Sequence, residues 1–162
     1  MSPIDWALRP LKHYADFSGR APRAEYWWYT LAIIIVTVLV TIVEGALGLG
    51  GMVGPYGPLS ILLVLGLLLP GLAVSVRRLH DTDRSGWWLL LVVVPYCVFL
   101  LLAGGAMASD TAAATGGAGR IGGIVVLLCA LVLLFFYIQR GTAGDNRFGP
   151  DPYGSDAGDV FS

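Results

Sequence analysis

The chain has 162 residues, of which 56% are hydrophobic and only 13% are charged, and its mean hydropathy is +0.74. A soluble domain carries about a quarter charged residues, so this composition excludes an ordinary soluble protein, and the apolar content excludes a disordered chain. The formal net charge of -1 shows none of the basic excess of nucleic-acid-binding proteins, so we expect no nucleic-acid partner. The composition indicates a small membrane protein.

Residues 1–26 predict a cytoplasmic segment that lies in the membrane interface. Ile4, Leu8 and Leu11 recur at helical spacing with charged residues between them, which is typical of a short amphipathic interfacial helix. The charges leave no uninterrupted apolar stretch for a secretory signal. We therefore expect the chain to enter the membrane through its own first spanning helix.

Four apolar runs follow, at residues 27–49, 59–76, 87–105 and 121–138. About 20 apolar residues suffice to cross a bilayer, and lipid requires every backbone polar group to be bonded within such a segment. We predict an all-α integral membrane protein with a bundle of four transmembrane helices over residues 27–138.

The connections between the runs differ in composition. A Gly/Pro turn at 50–58 carries no charge, and the connection at 77–86 is short and highly charged. The loop at 106–119 is rich in Gly, Ala, Ser and Thr, which is typical of a flexible connection. The Gly-, Asp- and Pro-rich tail at 139–162 is predicted to be an irregular cytoplasmic segment.

The basic residues predict the orientation of the chain. Nine of the ten lie before the first run, between the second and third, or after the fourth, and only Arg120 falls on the other side. Because cytoplasmic loops carry the excess of Lys and Arg, both termini are predicted to be cytoplasmic.

Polar side chains gather in three segments that this topology brings to the cytoplasmic face. We call 17–27 the N-terminal polar segment, 77–88 the hairpin segment and 144–152 the C-terminal polar segment; together they form the polar rim. The C-terminal polar segment either docks on the hairpin segment or is disordered, since its Gly/Asp/Pro composition fits both alternatives. The candidate site residues are Arg20, Arg23, Arg77, Arg78, His80, Asp81, Arg84, Asn146 and Arg147.

The three segments carry a family resemblance. They contain a Phe-x-Gly-Arg…Glu-Tyr-Trp motif at 17–28, an Arg-Arg-Leu-His-Asp…Arg-Ser-Gly-Trp-Trp motif at 77–88 and an Asn-Arg-aromatic-Gly-x-Asp-Pro motif at 145–152. In these motifs the chain resembles the small bacterial inner-membrane proteins of the domain of unknown function 805 family. The resemblance implies four helices and a bacterial inner membrane, and it implies no activity.

The rim arginines allow a structural and a functional interpretation. They can fix topology and form internal pairs, for example between Arg77 and Asp81 at positions i and i+4. Alternatively, their guanidinium forks can grip a lipid phosphate, with Arg20 and Arg23 contributing. Our leading hypothesis is a non-catalytic module whose rim binds anionic lipid headgroups or a partner protein, and Gly-containing faces also allow a homo-oligomer.

An enzyme is the less favoured alternative. His80 and Asp81 could form an acid/base pair acting on a phosphorylated lipid, but no Ser or Cys nucleophile with an oxyanion device accompanies them. Ser85 suits the N-cap of the third helix. His80, Asp81 and Asp83 lack the further ligands of a metal site, so we expect no catalytic residues, metal or cofactor.

A small transporter is the remaining alternative. Glu44 is the only acid within an apolar run, and an intramembrane carboxylate suggests function. If the first span stops before it, Glu44 is interfacial or pairs with Arg120. Pro70 predicts a kink in the second span, which serves either packing or transport.

Overall fold

The computed structural model describes residues 2–50, 56–108 and 117–153. It contains five α-helices: α1 at Pro3–Lys12, α2 at Arg23–Ala46, α3 at Pro58–Asp81, α4 at Leu90–Ala108 and α5 at Gly117–Ile138. A 3-10 turn at Gly86–Leu89 leads into α4. Since no strand forms within the described ranges, the prediction of an all-α fold is confirmed for them.

Three helices are long and apolar enough to cross a membrane. They are α2, α3 and the part of α5 at Gly119–Ile138. Their outward faces carry exposed Leu, Ile and Val side chains, which suits helices surrounded by lipid tails. The apolar helical stretch at Gly86–Leu101 is shorter, so a fourth transmembrane helix stays a prediction.

The helices extend beyond the predicted runs. Residues 77–81, expected in a connection, form the last part of α3, because neighbouring segments supply partners for their charges. The chain then reverses through Asp83, which has a left-handed φ of 56°. Ser85 caps the next helical turn with its side chain, as predicted.

The predicted loop at 106–119 is likewise shortened by helix. α4 continues to Ala108 and α5 begins at Gly117. The rest of that loop, residues 109–116, lies outside the described residues, as do 51–55 of the predicted Gly/Pro turn and 154–162 of the predicted tail.

The N-terminal segment forms the predicted short helix. Ser2 and Asp5 cap its start reciprocally, and Pro3 occupies the first turn, where its missing N–H costs nothing. α1 packs along α2, with Pro10 buried and the apolar side chains of Ile4, Leu8 and Leu11 exposed. This exposed apolar face suits a helix at a membrane surface, and its position in the interface stays a prediction.

Pro70 lies inside α3 and frees a backbone carbonyl. Because proline has no N–H, the carbonyl oxygen of Gly66, four residues earlier, loses its helical donor. The hydroxyl of Tyr14 donates to that oxygen at 2.6 Å. The chain between α1 and α2 thereby satisfies a polar group that lipid tails could not.

Glu44 connects α2 to α3 at the end of this helix pair that lies away from the hairpin segment. Its side chain is only 1% exposed and accepts hydrogen bonds from the N–H of Ser60, at 2.9 Å, and from the Ser60 hydroxyl. Gly57, at the N-cap of α3, approaches the carboxylate so closely that a side chain would not fit. Glu44 therefore caps the first turn of α3 and complements its dipole.

Of the alternatives for Glu44, the pairing with Arg120 is not formed among the described residues, and Arg120 is exposed. The reason is that the start of α3 supplies hydrogen-bond donors nearer to Glu44. The nineteen-residue interval from Glu25 to Glu44 corresponds to about 28 Å of helix, close to the thickness of the hydrocarbon core.

The buried apolar core is small and lies near the end of α3 that carries the hairpin segment. One cluster contains Ala21, Tyr29 and Val74, and the other contains Leu79, Leu133 and Tyr137. The second joins α3 to α5. α2 packs on α3 and α4 packs on α5, so this end connects the two helix pairs.

We expect Ser60→Ala to lower the free energy of unfolding by about 1 kcal/mol, a typical value for a helix cap. The variant removes the hydroxyl donor but keeps the N–H bond to Glu44. Glu44→Gln should lower stability further, because it removes the negative charge at the start of α3. Reversible unfolding in detergent measures both.

Thr41→Val is the matched control, because the exposed Thr41 hydroxyl donates only within α2, to the carbonyl of Thr37 at 2.9 Å. A Ser60→Ala protein as stable as this control would show that the cap does not hold the α2–α3 connection together.

Candidate functional site: the polar rim

The centre of the polar rim is the carboxylate of Asp81. The residue is 1% exposed and is held between two arginines. Arg20 Nε and Nη2 each lie 3.0 Å from Asp81 Oδ1, and Arg78 Nη1 donates to Asp81 Oδ2. The side chains of all three residues are almost completely buried. Both carboxylate oxygens are thus engaged in charge-assisted hydrogen bonds.

The two arginines also bind the chain that follows α5. Arg78 donates to the carbonyl oxygens of Tyr137, at 3.1 and 3.2 Å, and of Gln139. It therefore caps the C-terminus of α5, where carbonyls lack helical donors. Arg20 donates to the carbonyl oxygens of Thr142 and Gly144, both at 2.6 Å.

Residues 141–146 lie directly against the end of α3. The N–H of Thr142 donates to the carbonyl oxygen of Asp81 at 2.8 Å, and Asn146 Nδ2 donates to that of His80 at 2.9 Å. Gly141 approaches the Asp81 carboxylate too closely to allow any side chain. Over its described residues, the C-terminal polar segment is docked on the hairpin segment.

Arg77 belongs to a second buried cluster. Its Nη1 lies 2.8 Å from Glu25 Oε1, and Arg9 Nε of α1 lies 3.5 Å from Glu25 Oε2. The predicted pairing of Arg77 with Asp81 is therefore wrong. Successive helical residues point about 100° apart, so Arg77 faces α2 while Arg78 faces Asp81 and α5.

His80 has its own contacts, separate from the Asp81 carboxylate. Its Nδ1 lies 3.2 Å from the carbonyl oxygen of Gly19. Because that oxygen can only accept, Nδ1 carries the proton. The ring stacks on Phe148 at 3.9 Å between centroids. Within the described residues, no hydrogen bond joins the side chains of His80 and Asp81, so the arrangement is not that of an oriented acid/base pair.

The remaining candidate arginines are less buried: Arg23 and Arg147 are exposed and Arg84 is half-buried. Arg147 pairs with Asp83 at 3.1 Å, and both are exposed. The guanidinium of Arg84 lies 4.0 Å from the centroid of Phe136. Arg23 is exposed and donates to the carbonyl of Ile138 at 3.4 Å. These side chains are available to a ligand in a way that Arg20, Arg77 and Arg78 are not.

A turn beyond α5 is stabilised by Asp151. Its carboxylate accepts hydrogen bonds from the N–H groups of Gly144 and Tyr153, each at 2.9 Å. These bonds stabilise the charged form, so the pKa of Asp151 lies below its ordinary value of 3.8.

The structure adds residues that the sequence interpretation missed. Glu25 and Arg9 complete the cluster around Arg77, and Thr142 and Gly141 complete the one around Asp81. Glu25 was detectable in principle, as an acid in the first turn of a largely apolar helix. In the described part of the chain, no group of three or more His, Cys, Asp or Glu side chains could hold a metal ion.

The helices and the rim define a helical membrane protein whose polar residues converge at one end. The family described as Protein of unknown function (DUF805) matches residues 14–150. The chain belongs to this family, as the resemblance of the three polar segments indicated. The family's description names no activity.

Two similar proteins of Escherichia coli (strain K12) are named inner membrane proteins. YhaI is 49% identical over 83 residues, which cover 51% of this chain and 66% of YhaI. YhaH is 44% identical over 84 residues, covering 52% of this chain and 69% of YhaH. The matched region thus spans slightly less than two-thirds of YhaI. No solved structure matches the chain.

We expect Asp81→Asn to lower the free energy of unfolding by about 3 to 5 kcal/mol, because it leaves two buried arginines without their carboxylate. Asp83→Asn is the matched control in the same hairpin segment. It breaks only the exposed pair with Arg147, worth about 0 to 1 kcal/mol.

Unfolding in detergent, followed by circular dichroism, measures both variants. Equal stabilities of the two would contradict the central role of Asp81. If Asp81→Asn does not fold at all, Gly141→Ala tests the same contact, since its methyl group would meet the carboxylate.

Proposed function

We propose that the chain is a non-catalytic, multi-pass protein of the bacterial inner membrane whose polar rim contacts the headgroups of anionic lipids. The observation that carries this proposal is the division of the rim arginines. Arg20, Arg77 and Arg78 are buried in internal ion pairs, whereas Arg23, Arg140 and Arg147 are exposed. The exposed guanidinium groups remain available for an outside partner.

The contacts of the rim support four transmembrane helices. Ala21, before α2, donates its N–H to the carbonyl of Arg77 at 3.0 Å, and Thr142, after α5, donates to that of Asp81. The segments before α2 and after α5 therefore lie at the same end of α3. An even number of crossings must separate them, which requires α4 to cross as well as the three longer apolar helices.

The side of the membrane follows from charge. The shared end carries nine of the ten basic residues, and positive residues accumulate on the cytoplasmic side. The names of the relatives from Escherichia coli support the inner membrane as the location. We therefore propose that both termini are cytoplasmic.

Aromatic side chains favour lipid headgroups as the partner. Trp27 and Trp28 of α2 and Trp87 and Trp88 before α4 are all exposed at the end that carries the rim. Tryptophan at this position is typical of the boundary between lipid tails and headgroups. Basic side chains at that level attract anionic lipids by about 1 kcal/mol each. A partner protein would be a different outcome of the test below.

The geometry gives less support to the two alternative functions. Both oxygens of Asp81 bind arginines, so Asp81 is not poised to orient His80. Glu44 caps α3, which explains its burial without proton transport.

Cysteine labelling tests the topology. In a Cys97→Ala/Cys129→Ala background, the single substitutions Lys12→Cys, Tyr56→Cys and Asp145→Cys are treated with a membrane-impermeant maleimide in intact spheroplasts. We expect only Tyr56→Cys to react from outside, and the other two to react only after permeabilisation. Reaction of Asp145→Cys but not of Lys12→Cys from outside would mean an odd number of spans, and reaction of both would place the termini outside; either result would contradict the proposal.

Nanodiscs of different lipid composition test the rim. We expect the melting temperature to be higher in phosphatidylglycerol than in phosphatidylcholine, because exposed arginines attract anionic headgroups. The difference should shrink at high salt and in a variant in which Arg23, Arg84, Arg140 and Arg147 are replaced by Gln.

Arg120→Gln is the control, because it removes a basic residue predicted to lie on the opposite side. Equal melting temperatures of the wild type in both lipids would exclude headgroup contact and direct the search to a protein partner of the rim.

A further inference from the structure

A small cavity lined by several charged residues lies between the start of α2, the end of α3 and the segment that follows α5. Its volume is about 220 Å³. Since a water molecule occupies about 30 Å³ in the liquid, the cavity can hold one tetrahedral anion together with a few waters. The charged residues that line it are Arg20, Arg23, Arg140, Asp81 and Asp151.

The charges around this cavity do not balance. Asp81 is shared by Arg20 and by Arg78, so these three residues together carry one positive charge. Asp151 offsets that charge. Arg23 and Arg140 add two more, and among the described residues neither has a carboxylate within 4.0 Å. Counted over residues 2–50, 56–108 and 117–153, the site thus has two uncompensated positive charges near its opening.

The wall of the cavity is rigid and its opening is adaptable. Arg20 is held by Asp81 and by the carbonyls of Thr142 and Gly144, so its position is fixed by the fold. Arg23 and Arg140 are both exposed. To the described residues, Arg23 makes a single long side-chain hydrogen bond, to the carbonyl of Ile138. Their side chains can therefore close around a bound group at little cost in lost contacts.

Arginine is the residue type suited to a phosphate. Its planar guanidinium offers paired N–H donors that match two phosphate oxygens, whereas lysine offers a point charge. Every basic residue lining this cavity is arginine. A carboxylate ligand has two oxygens and would fully engage only one guanidinium group, whereas a tetrahedral phosphate presents oxygens to several guanidinium groups.

We propose that this cavity is a specific binding site for a phosphate group, held between Arg23 and Arg140 against the fixed wall formed by Arg20. The inference rests on the proposed function and deepens it, because it adds one stoichiometric site to the general attraction of the rim. The phosphate belongs either to an anionic lipid or to a water-soluble phosphate ester. In both cases the same guanidinium groups bind it.

Native mass spectrometry of the full chain in detergent tests the site, with phosphatidylglycerol titrated as the probe. We expect one lipid to bind per chain in the wild type. The double variant Arg23→Gln/Arg140→Gln should bind phosphatidylglycerol more weakly than the wild type by a factor of about ten or more, because it loses two charge-assisted contacts. Arg84→Gln/Arg147→Gln is the matched control, since it removes the same charge from the rim outside the cavity and should weaken binding much less than Arg23→Gln/Arg140→Gln does.

The results separate the site from the proposed function. If both double variants weaken binding equally, the cavity is not a specific site, although the attraction of the rim for anionic lipids stands. If the wild type shows no preference for phosphatidylglycerol over phosphatidylcholine, both proposals fail. Equal melting temperatures of the variants and the wild type exclude loss of fold as the cause of weaker binding.

A competition experiment distinguishes the two sources of phosphate. Glycerol 3-phosphate and inorganic phosphate are added to the complex of the wild type with phosphatidylglycerol. Displacement of the lipid at millimolar concentrations of either would assign the site to a water-soluble phosphate compound. Retention of the lipid, together with its loss in Arg23→Gln/Arg140→Gln, would assign it to a lipid headgroup.

Discussion

The burial of one carboxylate, that of Asp81, constrains this end of the molecule. A charge removed from water is tolerated only when it is paired and fully hydrogen-bonded. Arg20 from before α2 and Arg78 from α3 meet this requirement. Each of them also donates to backbone carbonyls after α5. Three segments far apart in sequence therefore have to meet, and this contact connects the α2–α3 pair to α5.

The same requirement explains the polar groups deeper in the structure. Lipid offers no hydrogen bonds, so each buried polar group must find a partner within the protein. Glu44 meets it at the far end of α2 by capping α3. The carbonyl of Gly66, which lacks a helical donor because of Pro70, accepts a hydrogen bond from the Tyr14 hydroxyl instead. Glu25 and Glu44 are about one hydrocarbon thickness apart along α2, so the apolar stretch between them matches the membrane.

The sequence predicted the elements better than their contacts. Hydropathy located the helices, and the three polar segments were correctly assigned to the family, because both signals depend on local composition. The partners of individual charges depend on which way each side chain points. Arg77 and Arg78 are neighbours of identical chemistry, yet one pairs with Glu25 and the other with Asp81. Arg140 was not among the predicted site residues, because its surroundings depend on how the chain folds back after α5.

The internal pairs also decide which residues remain for function. An arginine that holds the fold together has most of its donors engaged, so Arg20 and Arg78 can shape a site but cannot leave their partners to bind. Arg23 and Arg140 line the same cavity and are exposed, and within the described part of the chain neither is held by an ion pair. A ligand can recruit them without breaking a buried pair. The buried ion pairs thus stabilise the fold, and the nearby exposed arginines, Arg23 and Arg140, are free to move and bind a ligand.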